Sequence, residues 1–275
     1  MVSESMQRMV INLKKHLKIY SKLFAFSLST EVEYRLSFLI TILVELAYFF
    51  VTLVSARVIF WNVNDIAGWN YNELLVLLGI NMVFSEIILG LAFVFNLREL
   101  PYKIARGTLD LVLTKPINSQ FSVSLWRPYF AMFPGILAGL IVAYGGFTKL
   151  GQFPSFLLFA PFLVVFVSGL VMAYSVGMMI TTISMWFINA SPLAMLAQQF
   201  IQLSKNPYSV FTGAWKLVFI TVLPIAFMVS FPSSILLGQL DVWWMPASIV
   251  LAITFLKLSS TFWNFALKKY SGASS

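Results

Sequence analysis

Cysteine is absent from the 275 residues, which removes disulfides, thiolate catalysis and Cys-ligated metal sites in one step. Histidine occurs once, at His16, so neither a His-cluster metal site nor an intramembrane Ser–His pair can be assembled. No G-x-x-x-x-G-K-[ST] phosphate loop is present, and any nucleotide hydrolysis has to come from another chain. The chain is therefore read as non-enzymatic, with no catalytic residue, metal ligand or cofactor. Charge is also scarce: Asp, Glu, Lys and Arg make up 10% of the residues, against about 25% in soluble domains. The apolar runs are continuous and do not alternate with polar residues, which argues against a β-barrel. The first 35 residues are too polar and too long for a cleavable signal, so the amino terminus is expected to stay.

What is abundant is apolar surface, at 60% of residues with a mean hydropathy of +0.88, and lipid is the implied solvent. A span needs about 20 apolar residues to cross about 30 Å of hydrocarbon. Six segments qualify, at 36–60, 74–95, 128–147, 156–183, 217–237 and 244–265, and the fourth is expected to be tilted, bent near Pro161 or extended into the cytosol. The fold class is all-α, a polytopic membrane protein with six transmembrane helices. Fifteen of the 18 basic residues fall on one side of this layout, Lys205 and Lys216 among them, while Arg57 and Lys149 fall on the other. The positive-inside rule places both termini in the cytoplasm. The net charge of +8 is explained by this topology, because the basic residues flank apolar spans and form no stripe suited to nucleic acid.

Ahead of the first span, Met9, Leu13, Leu17, Tyr20 and Phe24 recur at helical spacing opposite Lys14, Lys15, Lys18 and Lys22. That pattern is an amphipathic helix lying on the lipid surface. Within the spans, a carboxylate in hydrocarbon costs several kcal/mol and marks a position of interest. Glu45 shares a polar stripe with Thr41, Tyr48, Thr52 and Ser55, and Glu86 lies near Asn81 and Ser85. Glu45, Thr52, Asn81 and Glu86 are read as lining a substrate pathway; a hydrogen-bonded packing role and a proton-coupling role compete with that reading. Ala131, Gly135, Gly139 and Ala143 repeat every four residues, as do Gly169, Ala173 and Gly177, and both stripes let backbones approach closely.

The segment between the second and third spans mixes basic and apolar residues on the cytoplasmic side. Pro101 suits a first helical turn, Gly107 breaks it, and Thr108 and Asp110 start a second short helix that stops before Pro116. Leu109, Val112 and Leu113 are expected to form an apolar knob exposed to a partner. The run R-G-T-L-D-L-V-L-T-K-P, residues 106–116, resembles the G-x-L-D-x-x-L-x-[KR]-P signature of bacterial ABC-type export permeases of the type two class. The stretch N-P-Y-S-V-F-T-G-A-W, residues 206–215, followed by V-L-P-I-A-F and the run 231–238, resembles the same family.

The resemblance implies a permease subunit of an ATP-driven exporter, paired with a second permease, identical or homologous, and with cytoplasmic ATP-binding subunits. It further implies an elbow helix over 1–35, a permease domain over 36–267 with a coupling loop at 96–127, a cytoplasmic tail at 268–275, and a bacterial inner-membrane location. Carried over residue by residue, the ATPase-coupling positions are Arg106, Gly107, Leu109, Asp110, Val112, Leu113, Lys115 and Pro116. The family also tends to fold the region between the last two spans partly back into the outer leaflet, and Pro224, Pro232 and Pro246 bracket such a segment. The competing readings are a proton-coupled secondary transporter using Glu45 or Glu86, and a scaffold for a membrane enzyme. The substrate is open.

Overall fold

A computed structural model describes residues 21–29, 35–187 and 190–270. The amphipathic helix expected over 1–35 lies outside the described residues, apart from 21–29, which are helical, and 271–275 lie outside them too. The first long helix, α1 (Arg35–Ile59), leads to a two-stranded hairpin, β1 (Asp65–Ile66) and β2 (Trp69–Asn70). Its turn has φ +51° at Ala67 and +86° at Gly68, the pair of positive values that a tight hairpin twist requires. Asn70 then caps α2 (Tyr71–Ile88). Its Oδ1 accepts from the Asn72 and Glu73 N–H groups at 3.0 Å each, while Glu73 Oε2 accepts from Asn70 N at 2.8 Å. A π-helical turn, Leu89–Phe93, continues α2 and frees the Gly90 carbonyl, which accepts from Tyr129 N at 2.9 Å at the start of the third span.

Three short helices follow, α3 (Leu100–Ala105), α4 (Leu109–Leu113) and α5 (Ser119–Ser124). Next come the long α6 (Met132–Leu150) and α7 (Phe156–Thr182). Pro161 sits inside α7, which runs as continuous helix across it. The chain goes on through α8 (Ser191–Gln202), α9 (Gly213–Thr221), a π turn at Ala226–Ser230 leading into α10 (Phe231–Leu236), and α11 (Trp244–Lys269). Among the described residues, five helices are long and apolar enough to cross a membrane, and the sixth segment, α9 with Ala226–Leu236, is a pair bent by 68° around Pro224. This is an all-α polytopic membrane protein.

The centre of the bundle is α2: 78% of its most apolar stretch is buried, against 6% for α1. Its close neighbour is α6, and the small-residue stripe is what lets them touch. A Cβ on Gly139 would lie 2.7 Å from the Gly79 carbonyl oxygen and 2.9 Å from Met82 Cβ; one on Gly79 would strike the backbone of Ala143. The second stripe acts likewise on α7, where Gly169 admits the backbone of Phe227 and Gly177 admits the Phe93 ring. These approaches fix the helices by contact between backbones, which hydrophobic transfer cannot do inside lipid.

Two ends of the bundle can be told apart. The hairpin and Gln239, which donates to Glu73 Oε1 at 2.7 Å, mark one; the loop 96–127 marks the other. Phe24 meets Phe130 edge-to-face with ring centroids 4.5 Å apart and Asp110 lies near Tyr270, so the first and last described stretches meet the loop end. The sequence reading also set Lys205 at the loop end, and here the structure corrects it. From its packing against Leu100–Ala105, α8 rises to mid-depth, where Asn81 Nδ2 donates to Ser204 Oγ at 3.0 Å and Tyr48 Oη donates to Gln202 Oε1 at 3.4 Å. The stretch beyond it is irregular, and Ser230 braces it, accepting from Tyr208 N at 2.9 Å and donating to the Asn206 carbonyl at 3.5 Å. The net crossing between α7 and α11 is thus assembled from α8, this stretch and the bent pair. Gln198, Gln199 and Gln202 keep α8 polar enough to read as a loop. Ala194, Ala197, Phe200 and Ile201 form its buried face, while Met195 and Leu196 are exposed.

Candidate functional site

Asn96 sets the base of the loop. It is fully buried, and its Nδ2 donates to the Leu91 and Arg127 carbonyls at 2.9 Å each, while Oδ1 accepts from Arg127 N at 3.0 Å. The two ends of the loop are thereby pinned together where α2 ends and the third span begins. Pro101 sits in the first turn of α3, and Gly107 takes φ +68°, a left-handed value that turns the chain into α4. Asn118 Oδ1 then caps α5 by accepting from Phe121 N at 2.9 Å. Lys115 lies over the Trp126 ring at 3.9 Å and Arg127 over Phe95 at 4.2 Å.

The expected apolar knob is not exposed. Leu109 is completely buried, and Val112 and Leu113 are half-buried against the bundle core. At positions i, i+3 and i+4 these three form one face of α4, and the underside of the bundle covers it. The exposed apolar residue is Leu111, at 69%, flanked on the same end by Tyr102, Arg106 and Pro116. Asp110 is half-buried beside Tyr270, whose hydroxyl is pushed up by burial and then by that carboxylate. Lys103 on α3 is partly buried, and this desolvation holds its amine below the ordinary lysine range. Gly107 and Lys115 are half-buried.

Polar contacts clasp the loop to two spans. Gln120 Nε2 donates to Ser259 Oγ at 3.4 Å, and Ser260 Oγ donates to Gln120 Oε1 at 2.8 Å. Trp263 Nε1 donates to Ser119 Oγ at 3.0 Å, and Ser124 and Tyr174 share a hydrogen bond of 2.9 Å. A displacement of α5 therefore pulls on α11 and α7 directly. Sequence reading missed this clasp: the serines of α11 and Gln120 lie about 140 residues apart, and nothing local announces their pairing.

The four positions read as pathway-lining do come together. Glu45, Thr52, Asn81 and Glu86 line one cavity of about 60 Å³, with Tyr48, Ser85, Gln202 and Lys205. Glu45, Tyr48 and Thr52 of the α1 polar stripe face it, as their spacing predicts, and Glu86 also packs on α6, where a Cβ on Gly135 would lie 2.5 Å from its Cδ. A second cavity of about 450 Å³ opens above, sharing Tyr48, Thr52, Leu78 and Lys205 with the first. Lys205 and Gln202 were not foreseen there, because α8 reads as a loop.

Among the described residues, no group of three or more His, Cys, Asp or Glu is placed to hold a metal. No curated protein and no solved structure matches the chain. Residues 46–274 match the family model described as "ABC-2 family transporter protein". With several apolar helices, a match over most of the length and the signature run 106–116 in the loop, the chain belongs to the ABC-2 family of transporters, as a membrane component of the kind that works with ABC ATP-binding partners.

Proposed function

We propose that this chain is the non-catalytic permease subunit of an ATP-driven exporter, with the rim of the loop 96–127 seated on a separate cytoplasmic ATP-binding subunit. The observation that carries the reading is the clasp. A loop whose tip exposes Arg106, Leu111 and Pro116, and whose base is hydrogen-bonded to two spans through Gln120, Ser119 and Ser124, is suited to turn a push from a partner into helix movement. Docking involves Arg106, Leu111 and Pro116 directly. Gly107, Leu109, Asp110, Val112, Leu113 and Lys115 hold the loop in shape beneath them.

The basic residues Arg98, Lys103, Arg106, Lys115, Arg127, Lys268 and Lys269 gather at the loop end, against Arg57 and Lys149 at the hairpin end. The bias supports a bacterial inner-membrane protein with its loop end and both termini in the cytoplasm. The exposed apolar side of α1, including Leu43, Phe50, Val54 and Val58, offers a surface for a second permease chain, identical or homologous. A pathway between the two would then pass Glu45, Thr52, Asn81 and Glu86. The direct test is purification in mild detergent with identification of what stays bound. An ABC ATPase is expected; transport driven by a proton gradient with no ATPase present would favour a secondary carrier instead.

A further inference from the structure

The two neighbouring cavities share Tyr48, Thr52, Leu78 and Lys205 and differ in their other walls. The larger sets Ile59, Ile66, Leu74 and Val210 beside the polar Ser55 and Asn206. The smaller carries Glu45 from α1, Glu86 from α2, and Lys205 from the turn after α8. Lys205 borders both, at the waist between them. Among the described residues, Lys205 closes no ion pair with either carboxylate. The Lys205 side chain is exposed there, whereas Glu86 is buried.

The arrangement discriminates by charge. An anionic head group reaching Lys205 has to approach Glu45, and a cationic one reaching Glu45 has to pass the amine. A head that carries both signs meets an opposite charge on each wall. Asn81 and Gln202 add hydrogen-bonding groups beside it, and Tyr48 adds an aromatic ring. The larger cavity then takes an apolar body, whose remainder can leave past Val51 and Ile59, both exposed on α1.

We propose that these cavities bind a zwitterionic amphiphile, with its acidic group on Lys205, its ammonium toward Glu45 and its apolar part against Ile59, Leu74 and Val210. That such a molecule is the transported cargo rests on the exporter reading; that it binds is a property of this chain alone.

The test uses the full chain purified in dodecyl maltoside with tritiated lysophosphatidylcholine as the probe. Lysophosphatidylglycerol and an alkyltrimethylammonium of matched chain length compete as the anionic and cationic arms. Saturable binding is expected, displaced by unlabelled lysophosphatidylcholine about tenfold more effectively than by either single-sign amphiphile. Lys205→Gln and Glu45→Gln should each weaken it about tenfold or more, the usual effect of removing a charge-assisted contact, and Lys205→Arg should retain most of it. Equal competition by a single-sign amphiphile, absence of saturable binding, or unchanged affinity in both neutralising variants would overturn the proposal. Should a variant fail to fold, the competition on the unmodified chain decides. ATPase retention is recorded in the same preparations. An ATPase that stays while selective binding is missing refutes this proposal alone; selective binding with no ATPase refutes the exporter reading alone.

Discussion

The Asn96 carboxamide and the Arg127 backbone hold each other by two hydrogen bonds, Nδ2 to the carbonyl at 2.9 Å and N–H to Oδ1 at 3.0 Å. Both groups lie where the loop 96–127 leaves and rejoins the bundle. Asn96→Ala leaves these backbone groups without their partner and should cost about 1–3 kcal/mol. The expected readout is a thermal midpoint of the purified chain lowered by several degrees, with ATPase stimulation weakened in parallel. An unchanged midpoint would mean that the loop is anchored elsewhere.

The α2–α6 contact makes a sharper steric prediction. Leu at Gly139 drives a side chain into the Gly79 carbonyl and Met82, so folded protein should be largely lost. Gly145 lies on the same helix with nothing within 4 Å of its notional Cβ, and Gly145→Ala should be neutral or stabilising by up to about 1 kcal/mol. Monodisperse yield on size exclusion separates the two. Equal tolerance at both positions would show that the helices are not in backbone contact.

Single cysteines in this cysteine-free chain test the topology. Residue 65, exposed in the hairpin, should react with a membrane-impermeant maleimide from outside, and residue 116, exposed on the loop, only from the cytoplasm. Residue 205 should react more slowly than residue 116 with the same cytoplasmic reagent, since it lies beside mid-helix residues of α1 and α2. Labelling of residue 65 from the cytoplasmic side alone would invert the assignment.

Lys103 provides a pH signature. Burial lowers its pKa in the folded chain, so between that value and the ordinary one near 10.4 the unfolded chain binds more protons than the folded one. Stability contributed by this residue therefore rises with pH across that window, and at neutral pH its charge is a cost. Lys103→Met should raise the midpoint at pH 7 and flatten the difference between pH 7 and pH 10. A variant whose pH profile matches that of the unmodified chain would show that the amine is solvated.

Much of this was legible because lipid imposes local rules. Continuous apolar runs mark α1, α2, α6, α7 and α11, and the stripe from Glu45 to Ser55 points to its cavity because a polar face in hydrocarbon has to be turned inward. The four-residue spacing of Gly135 and Gly139 predicts close packing, which α2 supplies. Two features were hidden. Leu109 looked exposed because its covering surface comes from remote parts of the bundle, and the exposed leucine of that helix is Leu111. Lys205 looked cytoplasmic because α8 is short and rich in glutamine, and only its hydrogen-bonded neighbours Asn81 and Ser204 set its depth.

The measurement that decides the exporter reading is the ATPase bound to, and the ATP-driven transport supported by, two substitutions on the same short helix. Leu111 is exposed and Leu109 is fully buried. Leu111→Asp should leave the bundle folded while detaching the ATPase or uncoupling its hydrolysis, because a buried interfacial leucine contributes about 1.5–3 kcal/mol. Leu109→Asp should instead unfold the loop end and lower the thermal midpoint. Combined with Arg106→Glu, Leu111→Asp is expected to abolish co-purification without moving that midpoint. Full ATPase retention and unchanged ATP-driven transport in this double variant would contradict the assignment of the loop as the coupling element.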